Sequence, residues 1–469
     1  MTEQAGSAAS ATTSTAGTDV VALLRAALGG RVDTSPAALD DARADESGHA
    51  SAGRPLAVVR AASVADVQAT LRIATETRTP VVTRGAGTGL AGGANAGPGE
   101  IALSVRDMDR IVEVRPDDLL AVVEPGILNA HLNAALAAAG VWWAPDPASR
   151  EISTVGGNIA TGAGGLLCAK YGVVRDAVLA LDVVLADGRL LQLGHRSVKG
   201  VTGLDLTALM IGSEGTLGVI VGATLKLRRL VPGTVQTLAA TFSDVRAAAA
   251  ASAAVTASGI QPAIMELMDA TSLAAAHRLL SLPVPTPGAA QLTIQTDGPA
   301  AHTEAEAIAA VLAGAGGTVV LAADTAEGDH LLAVRRAMHP AMQTLGTTLI
   351  EDVSVPRSEL AAMFDEIARI EHDYGMVIPT VAHAGDGNLH PNFVFTGPEV
   401  PPQVWDAADE LFRAALRLGG TLTGEHGIGV LKRRWLADEL GEDQWRLQRD
   451  IARVFDPLGI LNPGKVFAA

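Results

Sequence analysis

The sequence predicts an α+β protein of two main units followed by a motif-dense C-terminal segment, and three observations lead there. Short β-branched runs alternate with helical segments and glycine clusters from Pro55 to about Leu230, the texture of an α+β unit with long loops. A break follows at Val231-Pro232-Gly233, and a second mixed unit lies beyond it. The chain is 469 residues long, 48% hydrophobic but only 3% aromatic. That length suits two or three domains, with a core of Ala, Val, Leu and Ile.

The elements follow in order. Residues 1–18 are rich in Ser, Thr, Ala and Gly, hold one acid, Glu3, and no Lys or Arg. They read as a disordered tail and lack the basic and apolar regions of a signal peptide. Residues 19–54 form a helical segment, whose periodicity from Val20 to Leu28 ends at Gly29-Gly30 as a C-cap. In residues 55–231, strands are expected at Ala57–Arg60, Pro80–Thr83, Ile101–Val105, Leu120–Glu124, Leu179–Leu185, Leu190–Leu193 and Gly218–Leu227. Helices are expected there at Val64–Thr77 and Ile127–Ala139. In residues 232–375, Phe242–Ser258 and Pro299–Gly314 read as helices, and Gln291–Thr296 and Thr318–Ala322 as strands. Residues 376–469 end in a helix through Trp445–Phe455.

Charge and composition exclude several functions. With 51 acidic against 35 basic side chains the net charge is −16, and the pI is near 5.1. Such a field repels polyanions, so no nucleic-acid partner is expected. One small anionic ligand held by backbone amides stays compatible with it. The single cysteine, Cys168, forbids an intrachain disulfide. The Ala-rich run Arg246–Ile260 is too short and too polar to span a bilayer. The expectation is a cytoplasmic protein with no membrane span, at most peripheral to a membrane.

Three glycine-rich loops carry the first chemical signal. Gly87-Thr88-Gly89-Leu90-Ala91-Gly92, inside Arg84–Gly93, matches the GxGxxG dinucleotide pattern. A strand precedes it, but no helix follows, since Gly92 to Gly99 is glycine-rich and holds Pro98. That context argues against a Rossmann turn and leaves a run of small residues whose amides can close on a phosphate. A merely flexible loop is the competing reading. Pro145-Asp146-Pro147 with Ser153–Gly165 forms a second such region, and Ile211–Gly218 a third. Together they suggest one extended ligand threaded between them; unrelated tight turns are the alternative.

Histidines carry the second signal. His383 and His390 flank a loop, Ala384–Leu389, that contains two glycines, and a strand from Pro391 to Phe395 follows. The loop lets the two rings converge, and Glu425-His426 adds a carboxylate and a third imidazole. Two His and one carboxylate with an open position suit a catalytic divalent metal. Scattered structural histidines are the alternative. Asn392 lies two residues beyond His390, on the same strand face.

Arg84–Gly93, Ser153–Gly165 and Gly212–Gly218 together resemble the FAD-binding domain of the vanillyl-alcohol-oxidase type, the PCMH-type flavin fold. His383–His390, Gly424–Gly429 and Asn462-Pro463-Gly464-Lys465 narrow the resemblance to the FAD-linked 2-hydroxy-acid dehydrogenases. These comprise D-lactate dehydrogenase, the glycolate oxidase FAD subunit and D-2-hydroxyglutarate dehydrogenase. It runs from about Arg31 to Val466. The fold implied is a PCMH-type FAD-binding domain of two α+β subdomains over 55–231, then an α+β substrate (cap) domain over 232–375. Residues 376–469 then close the flavin site.

The resemblance also implies roles. Arg84, Gly85, Ala86, Gly87, Thr88, Gly89 and Leu90 would cradle the FAD pyrophosphate. Pro145, Asp146, Ser153, Gly156, Gly157, Asn158, Ala160, Thr161 and Gly164 would line the rest of the cofactor, with Gly212, Glu214, Gly215, Leu217, Ile220 and Asn462. Residues 84–94 contain no His or Cys, so the flavin is expected to be non-covalent. Cys168 reads as a small core residue. Gly162-Ala163-Gly164 stands where relatives more often carry Asn-Ala-Gly. His383, His390 and Glu425 would ligate the metal, Zn²⁺ with Mn²⁺ as the alternative. His426 would be the base, while Arg335, Asn392 and His383 would meet the substrate.

A mechanism follows from these roles. The metal acts as a Lewis acid on the C2 hydroxyl, His426 removes its proton, and Arg335 holds the carboxylate bidentately. Hydride passes from C2 to flavin N5, giving the 2-oxo acid. Without the resemblance, Arg335 and Arg336 would read as one solvated helix face. Relatives that oxidise 2-hydroxyglutarate place a lysine just before the equivalent of Glu351-Asp352, where this chain has Ile350. That favours a small monocarboxylate of the D-lactate or glycolate type over D-2-hydroxyglutarate. Nothing in the sequence names the electron acceptor, whether a quinone, a cytochrome, an electron-transfer flavoprotein or oxygen, and a homodimer is the assembly considered. A sugar-lactone or alcohol oxidase of the same fold leaves the histidines unexplained, and a zinc hydrolase leaves the glycine loops unexplained. A non-catalytic flavin- or metal-binding subunit would differ only in lacking turnover.

Overall fold

The β-branched runs of the first unit form strands, and their order explains where its glycine loops lie. A computed structural model describes residues 13–467, with side chains from Val20 onward. Ala57–Arg60 and Val81–Arg84 flank Ile101–Ser104 in parallel, with Val32–Asp33 antiparallel at one edge. Parallel neighbours require crossovers. The helix Val64–Thr77 supplies one, started by Ser63 Oγ accepting from the Asp66 amide and stopped by Arg78 in the left-handed region. The connection from Arg84 to Ile101 is the first glycine loop, and no helix follows it.

Five later strands make an antiparallel sheet in the order Ile111–Arg115, Leu120–Val123, Val219–Lys226, Val178–Val184, Leu190–Gly194. Ile111–Arg115 is an edge strand the sequence reading passed over, because Glu113 and Arg115 break its apolar run. Val59, Leu71 and Ile101 centre the core of the first sheet, and Leu132, Trp143 and Leu225 that of the second.

Beyond the Pro-Gly break an eight-stranded antiparallel sheet begins with Thr234–Phe242, a strand where only a helix from Phe242 was expected. From that strand the sheet continues through Ala290–Gly298, Ile264–Met268, Thr380–His383 and Asn388–Phe395 to Thr347–Ile350 at its edge. The division expected at residue 375 therefore falls inside one sheet. Helices Val245–Ala257, Ala301–Gly314, Leu360–Tyr374 and Pro402–Arg417 bury their apolar faces with one face of it. Side chains alternate along a strand. Met265, Leu267, Ala382, Leu389 and Phe393 therefore join that core, and Glu266, His383, His390 and Asn392 face the other way.

Two terminal expectations change. The first helix spans Thr13–Leu28, so residues 13–18 are helical; residues 1–12 of the expected tail lie outside the described residues. The last helix is longer than Trp445–Phe455, running Leu436–Phe455 with a break at Gly441 (φ 72°, ψ 160°).

Candidate functional site

The three glycine loops meet. Gly85 of the first lies against the Thr154 side chain of the second, and Thr154 Oγ1 caps the helix Val155–Thr161 by accepting from Gly157 N at 3.2 Å. The third loop docks on that helix, its Gly212 and Glu214 amides donating to Ile159 O and Ala160 O at 3.0 and 2.8 Å. Asn462 Nδ2 then bridges the first and third loops through Gly93 O and Glu214 O, at 3.0 and 2.6 Å. Arg84 tucks under its own loop, donating to Ala94 O at 3.3 Å. Leu217 and Ile220 sit in the core behind the third loop. Asp146 is buried and accepts from Leu167 N at 3.0 Å; burial pushes its carboxyl up to about 7.

Beside these loops opens a cavity of about 300 Å³, lined in part by Thr161, Gly162, Gly212, Glu214, Glu425 and Gly427. Thr83 Oγ1, Ser153 Oγ, Asn158 Nδ2 and Asn462 Oδ1 are buried with no hydrogen-bond partner among the described residues. Orphaned buried polar atoms are rare in folded proteins, and this set along the loops fits a long polar ligand such as FAD. Cys168 is buried, and burial pushes its thiol up, as suits a core residue.

The histidine motif is tighter than its sequence implied. Thr380–His383 and Asn388–Phe395 form a hairpin whose turn is only Ala384–Gly387, so both rings stand on strands and not on a loop. His383 pairs with Asn388, which makes His390 its diagonal neighbour on one face. Glu425 enters from the Gly-Glu-His-Gly loop, with Oε1 at 2.8 Å from His390 Nε2 and 3.5 Å from His383 Nε2. A Cβ at position 164 would crowd the Glu425 side chain, so glycine there admits it. One ligand atom from each of the three residues lies within 4.8 Å of the others. Two imidazoles and a carboxylate at this spacing fit a Zn²⁺-like cation.

Two buried carboxylates fix the Gly-Glu-His-Gly loop. Asp352 Oδ2 accepts from the Gly424, Glu425 and His426 amides at 2.8, 2.7 and 3.2 Å, and Lys432 donates to its other oxygen. Burial opposes that negative charge most strongly, but Lys432 together with the nearby His426 and His390 outweighs it and holds Asp352 well below the usual carboxylate range. Glu214 accepts from Ile428 N and Gly429 N at 2.7 and 2.9 Å. His426 stacks on His390, with centroids 5.0 Å apart and planes at 19°, and 11% of its side chain is exposed. Its enclosure pushes it down to about 4, so the ring is neutral near pH 7 and able to accept a proton.

The residues expected to meet the substrate gather on the side of the sheet that carries the two histidines, Arg335 from the helix Thr325–Arg336. Asn392 is buried, donating to Pro379 O and His390 O, and its Oδ1 has no partner among the described residues. Ile350 pairs directly with Asn392 across the strands. Arg335 and Arg336 do not share one solvated face, the alternative considered for them: the Arg335 side chain is 14% exposed and that of Arg336 60%. Arg335 Nε donates to Glu266 Oε2 at 2.8 Å, and no hydrogen bond among the described residues engages its Nη atoms. Sequence reasoning missed Glu266, Asp352 and Lys432. A lone acid inside the otherwise apolar strand Ile264–Met268 was the one available signal.

Comparison with known proteins places this architecture. The family model "FAD linked oxidases, C-terminal domain" matches residues 231–466, and "FAD binding domain" matches 55–194. Glycolate oxidase subunit GlcD of Bacillus subtilis is 38% identical, over 88% of this chain and 89% of its own. A D-lactate dehydrogenase of Archaeoglobus fulgidus is 35% identical, over 87% and 90%. The solved structure of p-cresol methylhydroxylase superimposes with a TM-score of 0.77, covering 97% of each chain at 18% identity, and shares the fold. With the loops and motifs above, these matches make the chain a member of the FAD-linked oxidoreductase family that includes glycolate oxidase and D-lactate dehydrogenase.

Proposed function

We propose that this chain is a D-2-hydroxy-acid dehydrogenase with non-covalent FAD and a divalent metal, oxidising a small monocarboxylic acid of the D-lactate or glycolate type. The observation that carries the reading is the meeting of His383, His390, Glu425 and His426 beside the loop-lined cavity, on a sheet face shared with Asn392. FAD, when bound, supplies the hydride acceptor, and a cation held by His383, His390 and Glu425 supplies a Lewis acid. His426, neutral and stacked on His390, takes the substrate hydroxyl proton. The free Nη edge of Arg335 binds the substrate carboxylate, and Asn392 orients the hydroxy-acid head. Ile350 offers an apolar wall to the substrate tail. In keeping with this reading we place the protein in the cytoplasm; among the described residues no helix is long and apolar enough to cross a membrane.

Anaerobic stopped-flow bleaching of the flavin by a panel of D- and L-2-hydroxy acids tests it. D-lactate, glycolate or a larger apolar D-acid should bleach faster than D-2-hydroxyglutarate at equal concentration. Acid precipitation should release free FAD. Chelation should abolish bleaching while leaving the flavin spectrum intact. Flavin retained in the precipitate, or full activity in metal-free protein, would refute the corresponding assignment.

A further inference from the structure

Glu266 is 1% exposed and is the sole acid of a strand whose five residues are all buried. Its two oxygens are divided between two residues of the site. Oε1 lies 2.7 Å from His383 Nδ1, and Oε2 lies 2.8 Å from Arg335 Nε. We propose that Glu266 is a positioning residue that couples the metal side of the site to the substrate side, setting His383 with one oxygen and aiming Arg335 with the other. This rests on the dehydrogenase reading above.

A carboxylate can only accept hydrogen bonds, so both partners must donate. A neutral His383 then carries its proton on Nδ1, which leaves the Nε2 lone pair facing Glu425 and His390. Arg335 spends its Nε edge on Glu266, so its Nη1 and Nη2 edge stays available for a second carboxylate. Register sets the first of these contacts: Glu266 sits directly opposite His383 in the sheet, and its side chain shares that face; the helix Thr325–Arg336 brings Arg335 to the second oxygen.

Glutamine is the discriminating replacement, because its amide cannot serve both partners. An NH₂ turned to Arg335 opposes donor with donor. An NH₂ turned to His383 forces the imidazole proton onto Nε2 and removes the ligand lone pair. Either orientation of E266Q breaks one arm, and E266A breaks both.

Two binding measurements on FAD-loaded protein read the arms separately. Zinc affinity is measured by competition with a chromogenic chelator, and oxalate affinity by calorimetry on metal-stripped protein. E266A should weaken zinc about 10- to 100-fold and oxalate about tenfold or more, with the flavin spectrum unchanged. The losses should not add: H383A with E266A should bind zinc no worse than H383A alone, and R335A with E266A should bind oxalate no worse than R335A alone. If E266A does not fold, the isosteric E266Q carries the test and must lose at least one arm. A flavin-loaded E266Q within twofold of wild type for both probes overturns the proposal, as do losses that add fully in the double variants. A wild type that binds no zinc overturns the metal arm. Wild type that binds both probes but is bleached by no 2-hydroxy acid refutes the dehydrogenase reading and leaves Glu266 standing.

Discussion

In the proposed function, Ile350 is where a second substrate carboxylate would need a cation. It is half-buried and registered against Asn392, so its nearness to the site rests on strand pairing. Introducing a charge there, Ile350→Lys, should shift the ratio of flavin reduction rates toward D-2-hydroxyglutarate and away from D-lactate. A charged hydrogen bond to the distal carboxylate is worth ~1.5–3 kcal/mol, or roughly 10- to 100-fold in that ratio. An unchanged ratio in stopped-flow would remove Ile350 from the specificity argument. His426→Ala should slow flavin reduction about 100-fold or more, the usual worth of a general base, while zinc content by elemental analysis stays at the wild-type level. Loss of metal together with rate would make His426 a ligand. His426 was legible because its type and motif announce chemistry, whereas Ile350 was singled out only by the family resemblance. Glu266 and Lys432 were not legible, since an acid or a lysine in a chain is ordinarily solvated until folding buries it.

At the scale of elements, the hairpin from Thr380 to Phe395 is the device that brings His383 and His390 together. Its turn residue Gly387 has φ +90°, and a Cβ there would collide with Val355 O. Gly387→Ala should therefore destabilise the fold by at least ~1–3 kcal/mol, the usual cost of a forced backbone conformation. Urea unfolding midpoints would show it, and zinc affinity should fall in the same variant because both rings move. A midpoint equal to wild type would mean the turn relaxes freely. The sequence placed two glycines between the histidines but overestimated the loop, because Asn388 and Leu389 do not look like strand residues without a partner. Pairing with Thr380–His383 and with Val353–Ser354 makes them so. The helix Val64–Thr77, by contrast, was legible to the residue, since its cap at Ser63 is local.

On the scale of the whole molecule, Glu214 is the staple between the flavin-binding half and the C-terminal motif loop. Burial pushes its carboxyl up to about 7, even though two amides donate to it. The folded-state value thus lies above the unfolded one of 4.5. Its contribution to stability is therefore complete below pH 4.5 and lost as pH rises through about 7. Glu214→Gln keeps one acceptor and cannot ionise. The stability of wild type relative to this variant should fall by ~1–3 kcal/mol between pH 5 and 8. Chemical denaturation of both proteins across that range checks the sign; a difference that grows with pH would show that the amides hold the carboxylate ionised.

The sequence by itself determined the fold class, the strands and helices with strong local signals, the three glycine loops and the histidine motifs. Each of these is written in a short stretch: a period, a cap, or a run of residues too small to serve anything but a close backbone approach. Only the tertiary structure decided which groups share a face. Glu266 and His383 are 117 positions apart, and Glu214 and Ile428 214 apart. No local pattern records such distances. Sheet register brings Glu266 opposite His383 and Ile350 opposite Asn392, and it is set by pairing over the whole sheet. Burial then turns ordinary charged side chains into fixed partners, because a buried charge must find an opposite charge or hydrogen-bond donors.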